Sequence, residues 1–188
     1  LQDSHRSRWK IGDWTDDTDM MLCIADAVIE DGGVDFRNVT KHFKKWANGI
    51  PMGIGINTHN VLTADEYEEK PFEVSEMVWK ISKCQSAANG GVMRTSVVGL
   101  FPQAVALCAE NICKLTHYDP RCVGSCVIVS ELIHALVYGR QIPSVPAILD
   151  MAKRFDPQIS EYVMMAWQEE DVNRLMNDDC MGYTLLTL

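Results

Sequence analysis

Apolar positions recur at helical steps along most of the chain. From Asp19 to Glu30, Met20, Met21, Ile24, Ala27 and Val28 fall three or four residues apart and form one broad face. The segment leading in, Thr15-Asp16-Asp17-Thr18-Asp19, carries the caps and anions that a helix start prefers, and Gly32-Gly33 closes the pattern. Asp35 to Asn48 repeats it through Phe36, Val39, Phe43, Trp46 and Ala47, and a glycine loop from Gly49 to Gly55 follows. Pro71 suits the first turn of a helix over Phe72 to Lys83. After the turn Asn89-Gly90-Gly91 a short helix resumes at Val92. Gln103 to Thr116 aligns Val105, Cys108, Ile112 and Leu115, and Arg121 to Tyr138 is long and apolar. Ile148 to Phe155 and Ile159 to Gln168 are shorter helices. No segment shows the two-residue alternation and hairpin turns of strands, and no repeat or low-complexity tract stands out. The expected fold is all-α, a compact bundle of many helices forming a single domain over residues 1–188.

The ends bear on how complete that domain is. The first residue is Leu1, and the apolar run Met181 to Leu188 reads as a helix stopped in mid-stride, whereas termini are usually polar and frayed. The expectation is a partial domain, cut at both ends.

Composition narrows the function classes. Apolar residues make up 47% and charged residues 23%, which excludes extensive disorder. Seventeen basic against 26 acidic side chains give a net charge of −9 without a dense Lys/Arg run, so neither nucleic acid nor an anionic membrane is an expected partner. The apolar stretch Val97 to Ala109, interrupted by Gly99, Pro102 and Gln103, is too short to span a bilayer. Seven cysteines, an odd number without framework spacing or a signal peptide, read as reduced core thiols in a cytoplasmic protein.

The densest chemistry lies in Asp13-Trp14-Thr15-Asp16-Asp17-Thr18-Asp19, with four carboxylates and two hydroxyls in seven residues. These are hard oxygen donors suited to Mg²⁺, Mn²⁺ or Ca²⁺, and a bound cation would remove their mutual repulsion. An EF-hand is excluded, because Thr18 stands where the loop needs Gly and Ile24 where it needs Glu. Zinc is disfavoured for want of a nearby His or Cys. The competing reading is an ordinary acidic helix start with no metal. Gly53 and Gly55 permit close approach of backbone N–H groups to a phosphate, though they match neither a Walker loop nor a dinucleotide fingerprint, and a plain inter-helix loop stays open. Asn89-Gly90-Gly91, opening a helix that carries Arg94, is either an anion site or a capped turn. His117, between two long helices, is a cap, a surface residue or a ligand contact, while His134, Cys122 and Cys126 read as core. No Gly-x-Ser-x-Gly elbow or Cys–His pair supports a covalent nucleophile.

Taken in order, these segments resemble the ADP-ribosylglycohydrolases. The resemblance runs from Gly12-Asp-Trp-Thr-Asp-Asp-Thr18 through Gly53-Ile-Gly55 with Thr58, Ala88-Asn-Gly-Gly-Val-Met-Arg94 and Thr116-His117 to Gly182-Tyr183. It implies an all-α fold, a binuclear Mg²⁺ or Mn²⁺ site, and hydrolysis of the glycosidic bond between ADP-ribose and a protein side chain or related acceptor. Carried over by position, Thr15, Asp16 and Asp17 would be metal ligands, with Asp16 and Asp17 the catalytic pair. Gly53 and Gly55 would face the diphosphate, Ser86, Asn89 and Gly90 the ribose beside the scissile bond, His117 the nucleotide, and Tyr183 the adenosine side. The implied partner is an ADP-ribosylated protein or an ADP-ribose-like small molecule. Two family features are missing from these residues, an acid-bearing helix before the first metal motif and a second motif, Gly-Gly-Asp-x-Asp-Thr. Some relatives have Asp where Ser86 stands, so a general-base role does not carry over to it. The alternatives are a non-catalytic relative, either ADP-ribose-binding or crystallin-like and structural, and a plain helical interaction domain with an acidic patch.

Overall fold

The computed structural model describes residues 9–102, 104–175, 180 and 182–188. Helix α1 (Asp16–Asp31) starts after Thr15, whose backbone is extended, and carries Asp16, Asp17 and Asp19 in its first turn, where the helix dipole favours anions. Met20, Ile24 and Ala27 turn to the core, and Gly32, left-handed at φ 65°, ends the helix by donating its N–H to the Val28 carbonyl. Helix α2 (Phe36–Ala47) begins where the Asp35 carboxylate accepts from the Arg37 N–H, and it lays Val39, Thr40 and Phe43 inward beside α1.

The glycine loop leads into α3 (Ile56–Leu62), a helix that the apolar pattern does not announce because seven residues are too few to show a period. Helix α4 (Pro71–Ile81) has proline in its first turn as expected. The segment resuming at Val92 is a 3-10 helix over Val92–Leu100. Helix α5 (Val105–Lys114) follows Ala104, which is left-handed at φ 54°; the expected start at Gln103 lies outside the described residues.

Helix α6 (Pro120–Val137) is the centre of the molecule, packed chiefly against the 3-10 segment and α5. It is long and apolar enough to cross a bilayer, a property not noticed in the sequence, yet more than half of it is buried inside the fold. Its polar groups are paired there. Ser125 Oγ donates to the Arg121 carbonyl at 2.8 Å, Ser130 Oγ meets Thr95 Oγ1 at 2.9 Å, and His134 Nδ1 meets the Gly99 carbonyl at 3.0 Å. Those internal partners mark the core helix of a folded domain rather than a lipid-facing span.

Helices α7 (Val145–Lys153), α8 (Pro157–Gln168) and α9 (Thr184–Thr187) gather a smaller core of Ile128, Ala152, Ile159 and Leu185. The main core joins Met20, Ile24, Phe43, Leu62, Ile112 and Leu115. Among the described residues there is no strand, in agreement with the all-α expectation, and one isolated antiparallel bridge, Ala88 to Tyr183. Around it Asn89 N–H donates to the Gly182 carbonyl at 2.8 Å and Thr184 N–H to the Ala87 carbonyl at 3.0 Å. This pairing replaces the first part of the helix expected over Met181 to Leu188: Gly182 lies in a turn, Tyr183 is extended, and α9 keeps four residues. Met181 itself lies outside the described residues.

Candidate active site at the head of the first helix

The acidic segment does not act as one cluster. Asp13 accepts from the Lys10 N–H at 2.8 Å. Asp19 accepts from Trp14 Nε1 at 2.8 Å and Trp46 Nε1 at 3.0 Å, which pins α2 to the start of α1. Two carboxylates are left. Asp17 is exposed and accepts from Thr15 Oγ1 at 3.2 Å, so Thr15 does not cap the helix with its side chain. Asp16 is half-buried and turned towards the glycine loop. Burial, and next the charge of Asp17, push the Asp16 carboxyl above the usual carboxylate range, and a hydrogen bond to its own backbone N–H partly offsets them.

Gly53 receives Asp16. A Cβ on Gly53 would stand 3.2 Å from Asp16 Oδ1, so the absence of a side chain there makes room for the carboxylate. Gly55 leads into α3, where Thr58 Oγ1 lies 4.0 Å from the Cβ position of Gly55 and 3.1 Å from that of Gly90. Gly90 is buried, and its Cβ position lies 2.8 Å from His117 Cε1 and 2.9 Å from Nε2. Asp16, Gly53, Gly55, Thr58, Gly90 and His117 thus form one run of neighbours drawn from four separate parts of the sequence.

Ser86 belongs to the flank of this run. Its hydroxyl donates to Asn57 Oδ1 at 2.9 Å, and Asn57 Nδ2 donates to the Thr116 carbonyl at 2.9 Å. Asn57 therefore ties α3 to the loop before Asn89 and to the residue before His117. Sequence reasoning passed over it, although its place between Gly55 and Thr58 was the available signal. Asn57, Ser86 and Ala88 also border a cavity of about 750 Å³ between α3 and α4, otherwise walled by side chains such as Ile56, Met77 and Ile81. Asn89 is half-buried and fixed through its backbone to Gly182.

The surroundings of three further residues are specific. Arg94 is fully buried in the core. His117 is not a surface cap: it is 1% exposed, because its ring fills the space under Gly90. Tyr183 is joined to Ala88 through the backbone, but its side chain is engaged elsewhere. Its hydroxyl accepts from Arg121 Nη1 at 3.5 Å and donates to Gln158 Oε1 at 3.3 Å, and its ring stands edge-on to Tyr162. Burial raises its phenol pKa.

The hydroxyl and carboxylate oxygens of Thr15, Asp16 and Asp17 are of the kind that a hard divalent cation takes. Among the described residues, no group of three or more His, Cys, Asp or Glu side chains converges on a point. By themselves these side chains supply at most part of the oxygen ligands that such a cation takes.

Comparison with known proteins bears on the whole run. The ADP-ribosylglycohydrolase family model matches residues 1–186. An ADP-ribosylarginine hydrolase Tri1 of Serratia proteamaculans (strain 568) is 24% identical over 143 residues, covering 70% of this chain and 37% of the relative. A protein of the same name from Pseudomonas putida (strain GB-1) is 25% identical over 161 residues, covering 78% and 42%. The ADP-ribosyl-dinitrogen reductase glycohydrolase of Rhodospirillum rubrum is 25% identical over 146 residues, covering 71% and 44%. The chain thus spans about two fifths of the length of these relatives.

Proposed function

Because the chain belongs to the ADP-ribosylglycohydrolase family, we propose that it forms the ribosyl-binding part of a site that hydrolyses the bond between ADP-ribose and a protein side chain. The observation that carries the proposal is the contact of Asp16 with Gly53 in the same run that ends at Gly90 and His117. A single elongated ligand laid along that run would meet an acid, glycine backbone and a buried imidazole in succession.

In this reading Thr15, Asp16 and Asp17 hold Mg²⁺ or Mn²⁺. Such a cation, when bound, orients ribose hydroxyls and lowers the pKa of a bound water. Gly53 and Gly55 let backbone N–H groups approach the diphosphate without steric conflict. Asn89 and Gly90 border the ribose, with Ser86 held beside them through Asn57. The protein's part is to orient the ligand and to keep one face of it from water. The curated relatives named for arginine-linked ADP-ribose make an ADP-ribosylated arginine the acceptor to try first.

The test is release of free ADP-ribose from an ADP-ribosylarginine protein at saturating Mg²⁺ or Mn²⁺, wild type against Asp16→Asn. Loss of at least about a hundredfold is expected, the scale of removing a group that stabilises charge at the reacting centre. Equal rates in the two proteins would remove Asp16 from the chemistry. A full-length wild type that binds ADP-ribose but releases none would favour the non-catalytic relative.

A further inference from the structure

Arg94 is a buried cation with no carboxylate beside it among the described residues. It is 0% exposed, its guanidinium lies 4.5 Å over the Phe43 ring, and it donates to Met20 Sδ, to the Ile112 carbonyl at 3.2 Å and to Thr116 Oγ1 at 2.7 Å. Leaving a charge so placed is costly, so the use of its one hydroxyl partner is informative. Among the described residues Thr116 Oγ1 has two polar partners, Arg94 Nη2 and His117 Nδ1, the latter at 2.8 Å.

The proton count then fixes the ring. A guanidinium only donates, so Thr116 Oγ1 accepts from Arg94. The single hydroxyl proton needs an acceptor, and His117 Nδ1 is the one in reach. The ring proton must therefore sit on Nε2. Burial, and next the charge of Arg94, disfavour a second cation here and hold the His117 pKa down at about 3. Among the described residues Nε2 is a buried atom with no hydrogen-bond partner, and it faces the space that a side chain on Gly90 would fill, beside Thr58 Oγ1. Arg94, Thr116 and His117 come from the 3-10 segment and the end of α5, so packing of the core sets this donor.

We propose that Arg94 and Thr116 are positioning residues that lock His117 as a neutral imidazole with its only N–H on Nε2, aimed past Gly90 at an acceptor oxygen of the bound ligand. The lock follows from this chain's own geometry; the ligand it serves rests on the ADP-ribose reading above. Gly90 has a role in it too, since any side chain there would cover the N–H.

The experiment is a long-range proton–nitrogen correlation spectrum of the imidazoles at neutral pH, on the 188-residue protein. Wild type and Thr116→Ser, which keeps the hydroxyl, are expected to show His117 as a single tautomer protonated on Nε2. Thr116→Val, of the same shape without the hydroxyl, is expected to show mixed or Nδ1-protonated His117. A wild-type ring protonated on Nδ1, or on both nitrogens, overturns the proposal even if the valine variant fails to fold, as does a valine variant whose spectrum is unchanged. ADP-ribose is then added as the probe. It is expected to shift the Nε2–H signal in wild type and to bind about tenfold more weakly to Thr116→Val than to Thr116→Ser, the worth of one hydrogen bond. An Nε2 tautomer that ignores ADP-ribose upholds the lock and counts against the ADP-ribose reading.

Discussion

A methyl group on Gly90 would stand 2.8 Å from His117 Cε1 and 3.1 Å from Thr58 Oγ1. His117 has little freedom to yield, because Thr116 holds its Nδ1 and the core holds Thr116. Gly90→Ala is therefore expected to cost about 1–3 kcal/mol, the range for overpacking a filled interior. Gly53→Ala meets one close neighbour, the carboxylate of half-buried Asp16 at 3.2 Å, which can turn away, so its expected cost is under about 1 kcal/mol. Urea denaturation of the two variants checks the contrast, and equal midpoints would contradict it. His117 adds a pH dependence. Unfolded, the ring takes a proton below its ordinary 6.5; folded, it does so near 3. Between these values the unfolded state binds more protons, so stability is lost as the pH falls, by at most about 1.4 kcal/mol per pH unit. Denaturation from pH 7 down to pH 4 should show that slope in wild type and a shallower one in His117→Gln. Neither the burial nor the partners of His117 were legible in the sequence. A polar residue between two helices looks like surface, and the burial that, ahead of the charge of Arg94, keeps the imidazole neutral exists only once the core has closed.

At the level of elements, legibility followed length. The long runs became α1, α2 and α6: in the first two a dozen or more residues are enough for a 3.6-residue period to appear, and the third shows by its apolar length. Helix α3 and the bridge at Tyr183 did not show, since one is too short and the other is set by pairing with residues 87–89. The start of α6 shows both sides. Pro120 in its first turn, after Asp119, is a local signal, but the second use of that aspartate is not. Asp119 is 1% exposed and accepts from Arg121 N, Nε and Nη2 and, across from α4, from Trp79 Nε1 at 2.9 Å. Arg121 in turn reaches the Tyr183 hydroxyl, so this carboxylate links α4, α6 and the segment that pairs with Ala88. Asp119→Ala should destabilise by about 3 kcal/mol, the low end for breaking a buried pair because Arg121 keeps some exposure. Asp119→Asn, which still accepts from Trp79, should lose less. A denaturation midpoint for Asp119→Ala equal to that of wild type would show that the link carries no load.

For the molecule as a whole, the sign of its charge sets a condition on the proposed ligand. The chain carries a net charge of −9, and Asp16, Asp17 and Asp19 share the first turn of α1, next to the glycine loop proposed for the diphosphate. A ligand bearing phosphate charges is repelled by that field unless a cation intervenes. The cation proposed at Thr15, Asp16 and Asp17 would remove the repulsion and touch the ligand at once, so metal and ADP-ribose should bind with positive coupling. Linkage makes the coupling reciprocal: Mn²⁺ must tighten ADP-ribose by the same factor as ADP-ribose tightens Mn²⁺. A factor of about ten is expected, corresponding to roughly 1.4 kcal/mol of coupling. Calorimetric titration of ADP-ribose with Mn²⁺ present and with chelator present measures one side of the cycle, and Mn²⁺ titration with and without ADP-ribose measures the other. Asp16→Asn should abolish the coupling while leaving the fold intact. Its removal of a half-buried carboxylate beside Asp17 should leave the melting temperature in chelator unchanged or raised by no more than about 3 °C, a shift on the order of 1 kcal/mol for a chain of this size. Coupling that survives in Asp16→Asn would move the cation away from the head of α1. Equal ADP-ribose affinity with metal and with chelator would mean that the acidic end and the nucleotide do not share a site.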